Sequence, residues 1–389
     1  MGYQYVVLGA GRQGVALGYD LAANCEADAV ILSDIESGRA QRGVERIASL
    51  LDSKNCRLEA RQCDAADDDQ TRELIIGADV VLSATPYRLN VALTDLAVEA
   101  GASFCDLGGN TDIVRAQLDR HDRAVAAGVS ITPDCGLAPG LGNILAAYGI
   151  EQMDEPAEAH VRCGGLPTRP VGPLGYKMLF HFQGLINEYS GFGEFLREGE
   201  PTLIPALTEL EQIEFPDSIG KCEAAVTSGG TSTCAASFNG KVLTYDYKTV
   251  RYPGHFAVIR ALFELGCFEE RVELAGGETL KPKAVLRSLM EDRLAFPDVR
   301  DLVVLRATVS GKHAGRPQTL QFDLFDQHDE ATGFTAMERM TAYPTTLVAH
   351  MQARKLIEPG ARPLETALPL KQYMAEAPRH GINIAVKRF

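Results

Sequence analysis

The sequence YQYVVLGAGRQG, residues 3–14, decides the fold. Its first half is a short apolar run typical of a strand, and it leads directly into Gly9-x-Gly11-x-x-Gly14. The first glycine allows a tight turn, the second lets the backbone approach a pyrophosphate, and the third lets the following helix pack closely on the strand. That helix points its positively polarised N-terminus at the anion. The residues predicted to bind a dinucleotide cofactor in this segment are Gly9, Gly11, Arg12, Gln13 and Gly14.

A carboxylate after the second predicted strand bears on the choice of cofactor. Residues 29–33 form an apolar strand that ends at Asp34, twenty residues after Gly14. A carboxylate at this position accepts hydrogen bonds from the adenosine ribose and repels a 2′-phosphate, which favours NAD over NADP. Arg39 nearby could instead pair with a 2′-phosphate, although an arginine on a helix is more often solvated. The sequence therefore predicts NAD as the cofactor, with Asp34 at its ribose.

Strands and helices continue to alternate up to residue 133. Further strands are predicted at 57–61, 79–84, 103–107 and 129–133, and helices at 67–76, 89–100 and 114–127. Strands that alternate with helices at these lengths form a parallel, doubly wound sheet. Ligands of such sheets bind beyond the carboxyl ends of the strands. The segments in that position are Ala84-Thr85-Pro86-Tyr87, of which the first three are predicted to contact the cofactor, and residues 106–109 and 134–140.

A second domain is predicted beyond about residue 151, where an acidic, proline-containing stretch suits a surface crossing. Its predicted strands are 160–163, 242–252, 302–309, 319–325 and 334–342, its predicted helices lie near 255–265 and 283–292, and a helix from Pro344 to Lys355 and an apolar run at 382–386 follow. The predicted fold is α/β: a Rossmann domain of residues 1–134 plus about 344–389, and an α+β mixed-sheet domain of residues 135–343 for substrate binding and dimerisation. The returning tail would place the active site in the cleft between the two domains.

Composition and charge make several classes of protein improbable. Lys and Arg number 38 against 52 Asp and Glu, and the resulting net charge of −14 repels nucleic acids and anionic membranes. The chain opens without a basic leader and has no apolar run of about 18 residues, so we expect a cytoplasmic protein. Its nine cysteines include no CxxC and no Cys/His group at zinc spacing, which predicts neither disulfides nor a metal. The expected partners are a small-molecule substrate and a second copy of the chain, with a homodimer as the default.

Several polar side chains are candidates for chemistry. Asp106 could hold an ammonium or act as its base, with a turn or helix-capping aspartate as the alternative. Arg251 ends an alternating strand and could bind an α-carboxylate, unless it is a surface arginine. Lys177 and His181 are weaker candidates for proton transfer, because a lone Lys or His is more often exposed or paired. Residues 227–233, TSGGTST, form either a solvated loop or a cradle for an anion and an amine.

Two further features border the first domain. The helix that begins near Pro139–Asn143 could seat a carboxylate or pyrophosphate oxygen on its free N–H groups, unless its glycines serve packing. Asp134 has the same two interpretations as Asp106, and that of a turn or capping aspartate is favoured because a helix begins just beyond it. Cys135 needs no nucleophilic role in hydride transfer and is expected to pack against the cofactor.

Six motifs together resemble one known family. They are LGAGRQG (8–14), DLGG (106–109), DCGLAPGLGN (134–143), PLGYK (173–177), TSGGTST (227–233) and YKTVRYPGH (247–255). Their order and spacing resemble the saccharopine dehydrogenase-like oxidoreductases over nearly the whole chain. Within that family, TSGGTST and GGLPTRP (164–170) are most similar to the L-lysine 6-dehydrogenases.

The resemblance implies a reaction and assigns residues to it. Lysine 6-dehydrogenases oxidise the lysine ε-amine with NAD to an imine, which water hydrolyses to 2-aminoadipate 6-semialdehyde with loss of ammonia, and the product cyclises to piperideine-6-carboxylate. On this likeness, Asp106 faces the reacting amine, and Arg251 with the 227–233 loop holds the α-amino acid end. The predicted catalytic residues are Asp106, Tyr87 and Lys177, and the predicted substrate-binding residues are Cys135, Tyr176, Thr227, Ser228, Thr231 and Arg251.

Two other functions stay open at this point. GYK at 175–177 and YPGH at 252–255 resemble the saccharopine and carboxynorspermidine reductases, which couple an amine and a carbonyl with NAD(P)H. The third hypothesis is a non-catalytic Rossmann protein that senses NAD and acts through a partner, because this fold hosts many roles. The polar residues at 106, 227–233 and 251 disfavour it.

Overall fold

The computed structural model describes residues 2–51, 55–180, 182–216 and 219–389. His181, one of the weaker candidates for proton transfer, lies outside the described residues. The strands of the described chain are β1 (Tyr3–Leu8), β2 (Ala27–Asp34), β3 (Arg57–Gln62), β4 (Val80–Ser83), β5 (Ser103–Asp106), β6 (Ser130–Thr132), β7 (Glu155–Pro167), β8 (Phe192–Arg197), β9 (Glu200–Pro205), β10 (Glu211–Phe215), β11 (Gly220–Val226), β12 (Thr244–Arg251), β13 (Val272–Glu273), β14 (Thr279–Leu280), β15 (Asp301–His313), β16 (Arg316–Gln327), β17 (Gly360–Ala361) and β18 (Ile384–Arg388).

The helices pack on both sides of the first sheet and around the second. They are α1 (Arg12–Asn24), α2 (Ser37–Leu50), α3 (Asp68–Ile75), α4 (Asn90–Ala100), α5 (Thr111–Leu118), α6 (His121–Ala127), α7 (Leu141–Glu151), α8 (Phe182–Glu188), α9 (Cys234–Phe238), α10 (His255–Glu264), α11 (Pro282–Arg293), α12 (Ala336–Ala353), α13 (Leu364–Ala367) and α14 (Leu370–Glu376), with 3-10 turns at Tyr87–Leu89 and Ala377–His380. Over the described ranges, we find no helix with the length and apolarity needed to cross a membrane.

The first sheet is the predicted doubly wound parallel sheet. Its seven strands run in the order β17-β6-β5-β4-β1-β2-β3, and every neighbouring pair is parallel. Helices cover both faces, which is why its central strands read as continuous apolar runs instead of alternating ones. The helix predicted over 114–127 is in fact two helices, α5 and α6. The Asn110 side chain caps α5 by accepting hydrogen bonds from two of its first backbone N–H groups.

The second sheet is mixed, as the predicted α+β domain requires. Seven of its nine strands follow the order β10-β11-β12-β7-β15-β16-β18, while β8 pairs with β12 and with β9. Among the strand pairs of this sheet in the described part of the chain, β12–β7 alone is parallel. Helix α7 packs on β7 and β15, so it covers the face of this sheet that turns towards the first domain. Of the two long central strands, β7 contributes Cys163, Gly164 and Gly165 to the cleft between the domains.

Helix α12 occupies most of the segment predicted to be a strand at 334–342, so that prediction is wrong. The predicted helix start at Pro344 is also wrong, because α12 begins eight residues earlier. A capping box starts it: Thr335 Oγ1 accepts from the backbone N–H of Glu338 at 3.0 Å, and Glu338 Oε2 accepts from the N–H of Thr335 at 2.9 Å. The carboxylate of Asp301 accepts from the next two N–H groups. Pro344 lies inside the helix, where the satisfied first turn and burial on all sides outweigh its missing N–H.

The C-terminal tail divides between the two sheets. Strand β17 extends the first sheet beside β6, as a returning tail requires. The apolar run at 382–386 was expected to return to the first domain as well, but it joins the second sheet instead. There β18 pairs antiparallel with β16, with Ile384 opposite Leu324. The physical reason is that β16 would otherwise be a long open edge of the second sheet, and β18 satisfies its backbone groups.

Candidate active site

A cleft of about 530 Å³ opens where the carboxyl ends of the first sheet face the second sheet. Residues of both domains line it: Gln13, Ala84, Thr85, Pro86, Tyr87, Leu107, Gly108, Gly109, Leu137, Ala138, Pro139, Cys163, Gly164, Gly165, Phe180, Gly184, Asn187, Glu188, Thr227, Ser228, Gly229, Gly230, Tyr247, Thr249, Arg251, Met337 and Thr341. The cleft lies at the switch between the halves of the doubly wound sheet, where such folds bind their ligands.

The glycine turn at the start of α1 has the geometry that a dinucleotide needs. A Cβ on Gly14 would stand 1.7 Å from the carbonyl oxygen of Gly9, so strand and helix touch there. Gly9 has φ +98° and lies against the backbone of Ala84. A Cβ on Gly11, in contrast, would meet nothing within 4 Å, which leaves open space in front of the helix N-terminus. The turn therefore fits a pyrophosphate bound at the first N–H groups of α1.

Asp34 ends β2 beside this turn. Its Oδ2 accepts from the N–H of Ala10 at 2.9 Å, and its Oδ1 accepts from the N–H of Glu36 at 3.0 Å. The guanidinium of Arg39 lies 3.5 Å from the carboxylate of Asp34 and 2.6 Å from the carboxylate of Glu36. Asp34 is thus held rigidly where an adenosine ribose would lie, and the positive charge of Arg39 is held by two carboxylates.

Arg12 and Gln13, the two residues between Gly11 and Gly14, face different neighbours. Gln13 lines the cleft, where its Nε2 donates to the carbonyl of Met337 at 3.4 Å and its Oε1 is buried without a partner. Arg12 turns away from the cleft and pairs with Glu338 at 2.5 Å. We infer that Gln13 has an oxygen free for a ligand, whereas Arg12 ties the start of α1 to the start of α12.

The segment after β4 forms the wall of the cleft beside the glycine turn. Ala84, Thr85, Pro86 and Tyr87 all line the cleft, as the sequence predicts for residues beyond a strand end. The ring of Tyr87 packs on Gly109, where a Cβ would stand 3.1 Å from the ring. Only a glycine lets the two loops approach this closely.

Asp106 does not face the cleft, which corrects its predicted role at the reacting amine. The side chain is 1% exposed, and Oδ1 accepts from the N–H groups of Gly108 at 2.8 Å and Asp134 at 3.1 Å. Its Oδ2 accepts from Gln117 Nε2 at 2.8 Å. Burial raises the pKa of this carboxyl, and the three donors oppose that rise. Asp106 is therefore the turn aspartate of the alternative interpretation, and it holds two cleft-lining loops together.

Asp134 joins those loops to the second domain. It is buried, has φ +60°, and accepts a hydrogen bond from the Ser232 hydroxyl through its Oδ2. Burial, with the charge of Asp106 as a second cause, raises the pKa of Asp134 to about 8. The carboxyl is consequently protonated in the folded protein at neutral pH, although an unfolded Asp titrates near ~3.9.

A pH dependence of stability follows from Asp134. Between about pH 4 and 8 the folded chain keeps a proton that the unfolded chain has lost, so the free energy of unfolding falls as pH rises, by up to about 1.4 kcal/mol per pH unit. Asp134→Asn removes the titration, and Asn tolerates the left-handed conformation equally well. We expect the variant to lose less stability than the wild type between pH 5 and 9 in thermal or urea unfolding. Parallel stability curves for the two proteins would contradict the assignment.

Four other predicted site residues lie behind the walls of the cleft. Lys177 Nζ donates to the carbonyl of Val299 at 2.6 Å, and burial lowers its pKa. Cys135 is fully buried, where its Sγ donates to the carbonyl of Thr132, and burial raises its pKa. Thr231 and Tyr176 are buried as well and do not line the cleft. The structure thus assigns Lys177, Cys135 and Thr231 to the supporting framework, because each points into protein and not into the open space.

The N-terminus of α7 is not available to an anion, contrary to one of the two interpretations of residues 139–143. The N–H of Leu141 donates to the carbonyl of Gly136 at 2.8 Å, and the N–H of Gly142 donates to that of Leu137 at 3.0 Å. These donors are used within the chain's own turn, so the glycines here serve close packing.

Arg251 is the charged centre of the opposite end of the cleft. It is 2% exposed and stands 4.9 Å above the ring of Tyr176. Its Nε donates to Tyr189 Oη at 3.1 Å and its Nη2 to Glu188 Oε2 at 3.2 Å. Its Nη1 donates to the carbonyl of Val250 at 3.0 Å. Tyr176, predicted to bind the substrate, instead supports the guanidinium from below.

A hydrogen-bonded chain fixes the orientation of Arg251. His255 Nδ1 lies 3.0 Å from the carbonyl of Leu174 and therefore carries the proton, which leaves Nε2 to accept from Tyr189 Oη at 2.8 Å. Burial and the charge of Arg251 lower the pKa of His255 to about 3, so the ring stays neutral. Tyr189 can then accept from Arg251 and donate to His255 at the same time.

No motif in the sequence indicates Glu188, the carboxylate partner of Arg251. It ends α8, a short helix in a segment without a recognised motif, and its side chain is 31% exposed in the cleft. Burial raises the pKa of Glu188, and the charge of Arg251 opposes the rise. Only the packing of α8 beside the end of β12 shows that this residue meets Arg251.

The 227–233 loop forms a cradle in the cleft wall. Thr227 Oγ1 lies 2.7 Å from Thr249 Oγ1, and the Ser228 hydroxyl donates to the carbonyl of Asn187 at 2.7 Å. A Cβ on Gly230 would stand 2.2 Å from the ring of Tyr247, so the loop lies flat on that ring. Thr227, Ser228 and Arg251 thus meet in one place, as the sequence predicts, although Thr231 does not.

The fold and site together define a pyridine-nucleotide-dependent oxidoreductase. Residues 5–132 match the saccharopine dehydrogenase NADP binding domain, and residues 136–382 match the saccharopine dehydrogenase C-terminal domain. The chain belongs to the saccharopine dehydrogenase family, which confirms the predicted family and fold class.

Known proteins resemble the chain over most of its length. Carboxynorspermidine synthase of Vibrio cholerae serotype O1 is 24% identical, over 93% of this chain and 92% of the relative. The NADP(+)-dependent, L-glutamate-forming saccharopine dehydrogenase of Saccharomyces cerevisiae is also 24% identical, over 51% of this chain and 43% of its own length. The solved apo structure of a saccharopine dehydrogenase (L-Glu forming) from Saccharomyces cerevisiae superposes with a TM-score of 0.80 over both full chains at 17% identity. This last likeness shows the fold.

Proposed function

We propose that this protein catalyses the NAD-dependent oxidative deamination of the L-lysine ε-amine, which yields 2-aminoadipate 6-semialdehyde and ammonia. The observation that carries the proposal is the charge of the cleft. Arg251 is the only Lys or Arg among the described residues that line it, and it stands beside a single carboxylate, Glu188. A substrate with one carboxylate and one neighbouring amine fits that pair.

The donors of Arg251 match one substrate carboxylate. A guanidinium has five N–H groups. Arg251 donates to Tyr189, to Glu188 and to the carbonyl of Val250, and two N–H groups remain. Two donors are what a bidentate carboxylate accepts. The carboxylate of Glu188 can then accept from the α-ammonium of the same amino acid.

The rest of the cleft suits a methylene chain. Leu107, Leu137, Phe180 and Met337 supply an apolar lining between the two ends. A lysine whose α-carboxylate lies at Arg251 can extend its four methylene groups along this lining towards the glycine turn. Bound NAD would accept a hydride from the ε-carbon there. The hydroxyl of Tyr87, in the cleft wall, is the group we assign to orient the reacting amine.

The reductive coupling of an amine and a carbonyl is the second candidate, because the likeness to carboxynorspermidine synthase covers 93% of the chain. A product with one carboxylate would also be matched by Arg251 alone. Saccharopine carries three carboxylates, and two of them would find no cationic side chain among the described cleft-lining residues. The charge of the cleft therefore disfavours saccharopine within this candidate.

NAD is the cofactor we propose, on the position of Asp34. A rigid carboxylate at the end of β2 accepts from the ribose hydroxyls and repels a 2′-phosphate. Arg39 is already paired with two carboxylates, so little of its charge is left to attract a phosphate.

The assay that tests the proposal measures NADH formation from NAD and L-lysine at alkaline pH, with a chemical trap for the cyclic imine. Alkaline pH is needed because hydride leaves from a neutral amine, whose reference pKa is ~10.4. NADP and ornithine serve as parallel controls. Lysine-dependent NADH with trapped piperideine would support the proposal. Oxidation of NAD(P)H only when a diamine and an aldehyde are both present would favour reductive coupling, and a folded, NAD-binding protein inactive in both directions would leave the NAD-sensing role.

A further inference from the structure

A second group of polar side chains lies far from the cleft, where α1, α12 and the 3-10 turn Ala377–His380 meet. Cys25, His350 and His380 are all buried there, and one donor atom from each lies within 4.8 Å of the other two. Cys25 caps the C-terminus of α1, and His350 lies near the C-terminus of α12. Nothing in the cleft chemistry uses these residues.

His350 provides an independent indication of a ligand. The residue is 4% exposed, and its Nε2 is buried without a hydrogen-bond partner among the residues that the structure describes. A buried imidazole nitrogen without a partner loses its hydration and gains nothing in return. Glu26 Oε1 lies 3.9 Å from this nitrogen, and the Glu26 side chain is 69% exposed, so the group lies just beneath the surface and has an entry path.

His380 is oriented in the manner of a metal-bound histidine. Its Nδ1 lies 2.6 Å from Oδ2 of Asp20, a carboxylate that is fully buried. Asp20 also accepts hydrogen bonds from Asn24 and from the hydroxyl of Thr346. The Nδ1 proton is thus fixed towards Asp20, and Nε2 is the ring nitrogen left to bind an ion. A carboxylate that accepts from the far nitrogen of a histidine is the usual support of a zinc ligand.

We propose that Cys25, His350 and His380 form a structural zinc site, with the carboxylate of Glu26 as the fourth ligand. One thiolate, two imidazoles and one carboxylate suit tetrahedral Zn²⁺. Ligand atoms bound at about 2.0–2.3 Å lie roughly 3.3–3.7 Å apart, so the donor atoms of Cys25, His350 and His380, which lie within 4.8 Å of one another, need to move by about an ångström. The exposed side chain of Glu26, whose Oε1 lies 3.9 Å from His350 Nε2, would rotate to complete the set. Glu26 has φ +50°, which turns the chain sharply between α1 and β2 next to Cys25.

The site would clamp the ends of two helices whose other ends form the cleft. Gln13, in the first turn of α1, lines the cleft, and so do Met337 and Thr341 in the first turns of α12. Nine to 13 helical residues, or ~14–20 Å, separate these cleft-lining residues from Cys25 and His350. The zinc would therefore hold the C-terminal segment against the Rossmann domain without touching the reacting atoms.

The sequence predicts no metal because zinc motifs are recognised by closely spaced ligands. Here the ligands are residues 25 and 26 of one end of the chain and 350 and 380 of the other. Only the return of α12 and the following turn to α1 brings them together.

The test uses the full-length chain without a histidine tag. Zinc content is measured after purification without chelators and again after chelation and reconstitution with Zn²⁺, and Co²⁺ is added to the stripped protein as a spectroscopic probe. We expect one equivalent of either metal, a thiolate-to-cobalt charge-transfer band in the near ultraviolet, and a higher Tm with zinc. A wild-type protein that binds less than a tenth of an equivalent, or whose cobalt spectrum lacks the sulfur band, would overturn the proposal.

Variants locate the site. Cys25→Ser should remove the sulfur band, His350→Gln should weaken zinc binding at least tenfold, and Asp20→Asn should weaken it by about 10- to 100-fold through loss of the carboxylate support. Cys222→Ser is the matched control, because Cys222 is also buried but lies in the second domain, away from the proposed site. This variant should behave as wild type. A Cys25→Ser protein that keeps the band would overturn the assignment, and if that variant does not fold, the wild-type stoichiometry and cobalt spectrum still decide.

Discussion

Arg251→Ala is expected to lower kcat/KM for the amino-acid substrate by roughly 100- to 1,000-fold. The substitution removes the two donors free for a substrate carboxylate, and it leaves Glu188 in the cleft without its cation. Truncation of one partner of a buried, hydrogen-bonded charge pair costs about 2–5 kcal/mol, and each 1.4 kcal/mol is tenfold. Steady-state kinetics with the amino acid varied at saturating NAD would measure the loss. We expect the affinity for NAD, measured separately, to change little, because Arg251 lies at the opposite end of the cleft from the glycine turn.

Arg306→Ala is the matched control. Arg306 also pairs with a carboxylate, Asp323 at 2.6 Å, and also stands over an aromatic ring, that of Phe215 at 4.7 Å, but it does not line the cleft. The Arg306→Ala protein should lose some stability and keep its kcat/KM within a factor of about three of the wild-type value. Arg251→Lys keeps a charge but not the two-pronged geometry, so it should recover only part of the activity. Equal kinetic losses in the Arg251→Ala and Arg306→Ala proteins would show that Arg251 acts through stability alone.

Gly11→Ala and Gly14→Ala are expected to fail in different ways. Gly11 has an ordinary φ and open space around its missing Cβ, so the alanine should leave unfolding unchanged within ~0.5 kcal/mol. The same methyl occupies the space that a pyrophosphate needs, which should weaken NAD binding by about 10- to 100-fold, the equivalent of ~1–3 kcal/mol of overpacking. Gly14→Ala instead places its methyl 1.7 Å from the Gly9 carbonyl oxygen. It should destabilise the fold by more than ~3 kcal/mol.

Thermal unfolding with and without NAD separates the two effects. NAD at about 100 times its Kd should stabilise the wild type by ~2.7 kcal/mol. We expect Gly11→Ala to keep the Tm of the free wild type but to lose about 1.3–2.3 kcal/mol of this gain at the same NAD concentration, for a 10- to 100-fold weaker affinity. Gly276 also has open space around its missing Cβ but lies in the second domain. Gly276→Ala should therefore keep both the Tm of the free wild type and the full stabilisation by NAD. A Gly11→Ala protein stabilised by NAD as strongly as the wild type would contradict the placement of the pyrophosphate.

Much of the first domain was predictable because its signals are local. The strands are continuous apolar runs, the glycine turn specifies its own geometry, and Asp34 follows at a fixed distance along the chain. Where predictions failed, a local signal was overlooked or was outweighed by distant packing. The capping box Thr335-x-x-Glu338 was present in the sequence, but Pro344 suggested a helix start eight residues later. The sequence shows 382–386 only as an apolar run, and nothing within it specifies that it forms a strand of the second sheet.

The candidate site was predictable in its components and not in its contacts. The sequence predicts that Thr227, Ser228 and Arg251 contact the substrate and that Ala84, Thr85 and Pro86 contact the cofactor. All six residues line the cleft, and their contacts with ligands stay predictions. The prediction was wrong for Asp106. An aspartate after a strand end has the same local sequence pattern whether its carboxylate turns outward to a ligand or inward to backbone donors.

The sequence by itself determined the parallel sheet, the dinucleotide turn and the family, because each depends on residues close together along the chain. The tertiary structure decided which polar groups are free to act. It paired Glu188 with Arg251, withdrew Asp106 and Lys177 from the cleft, and brought Cys25 to His350 and His380. Burial and hydrogen-bond partners decide whether a polar side chain is available, and both are properties of neighbours that may stand hundreds of residues apart.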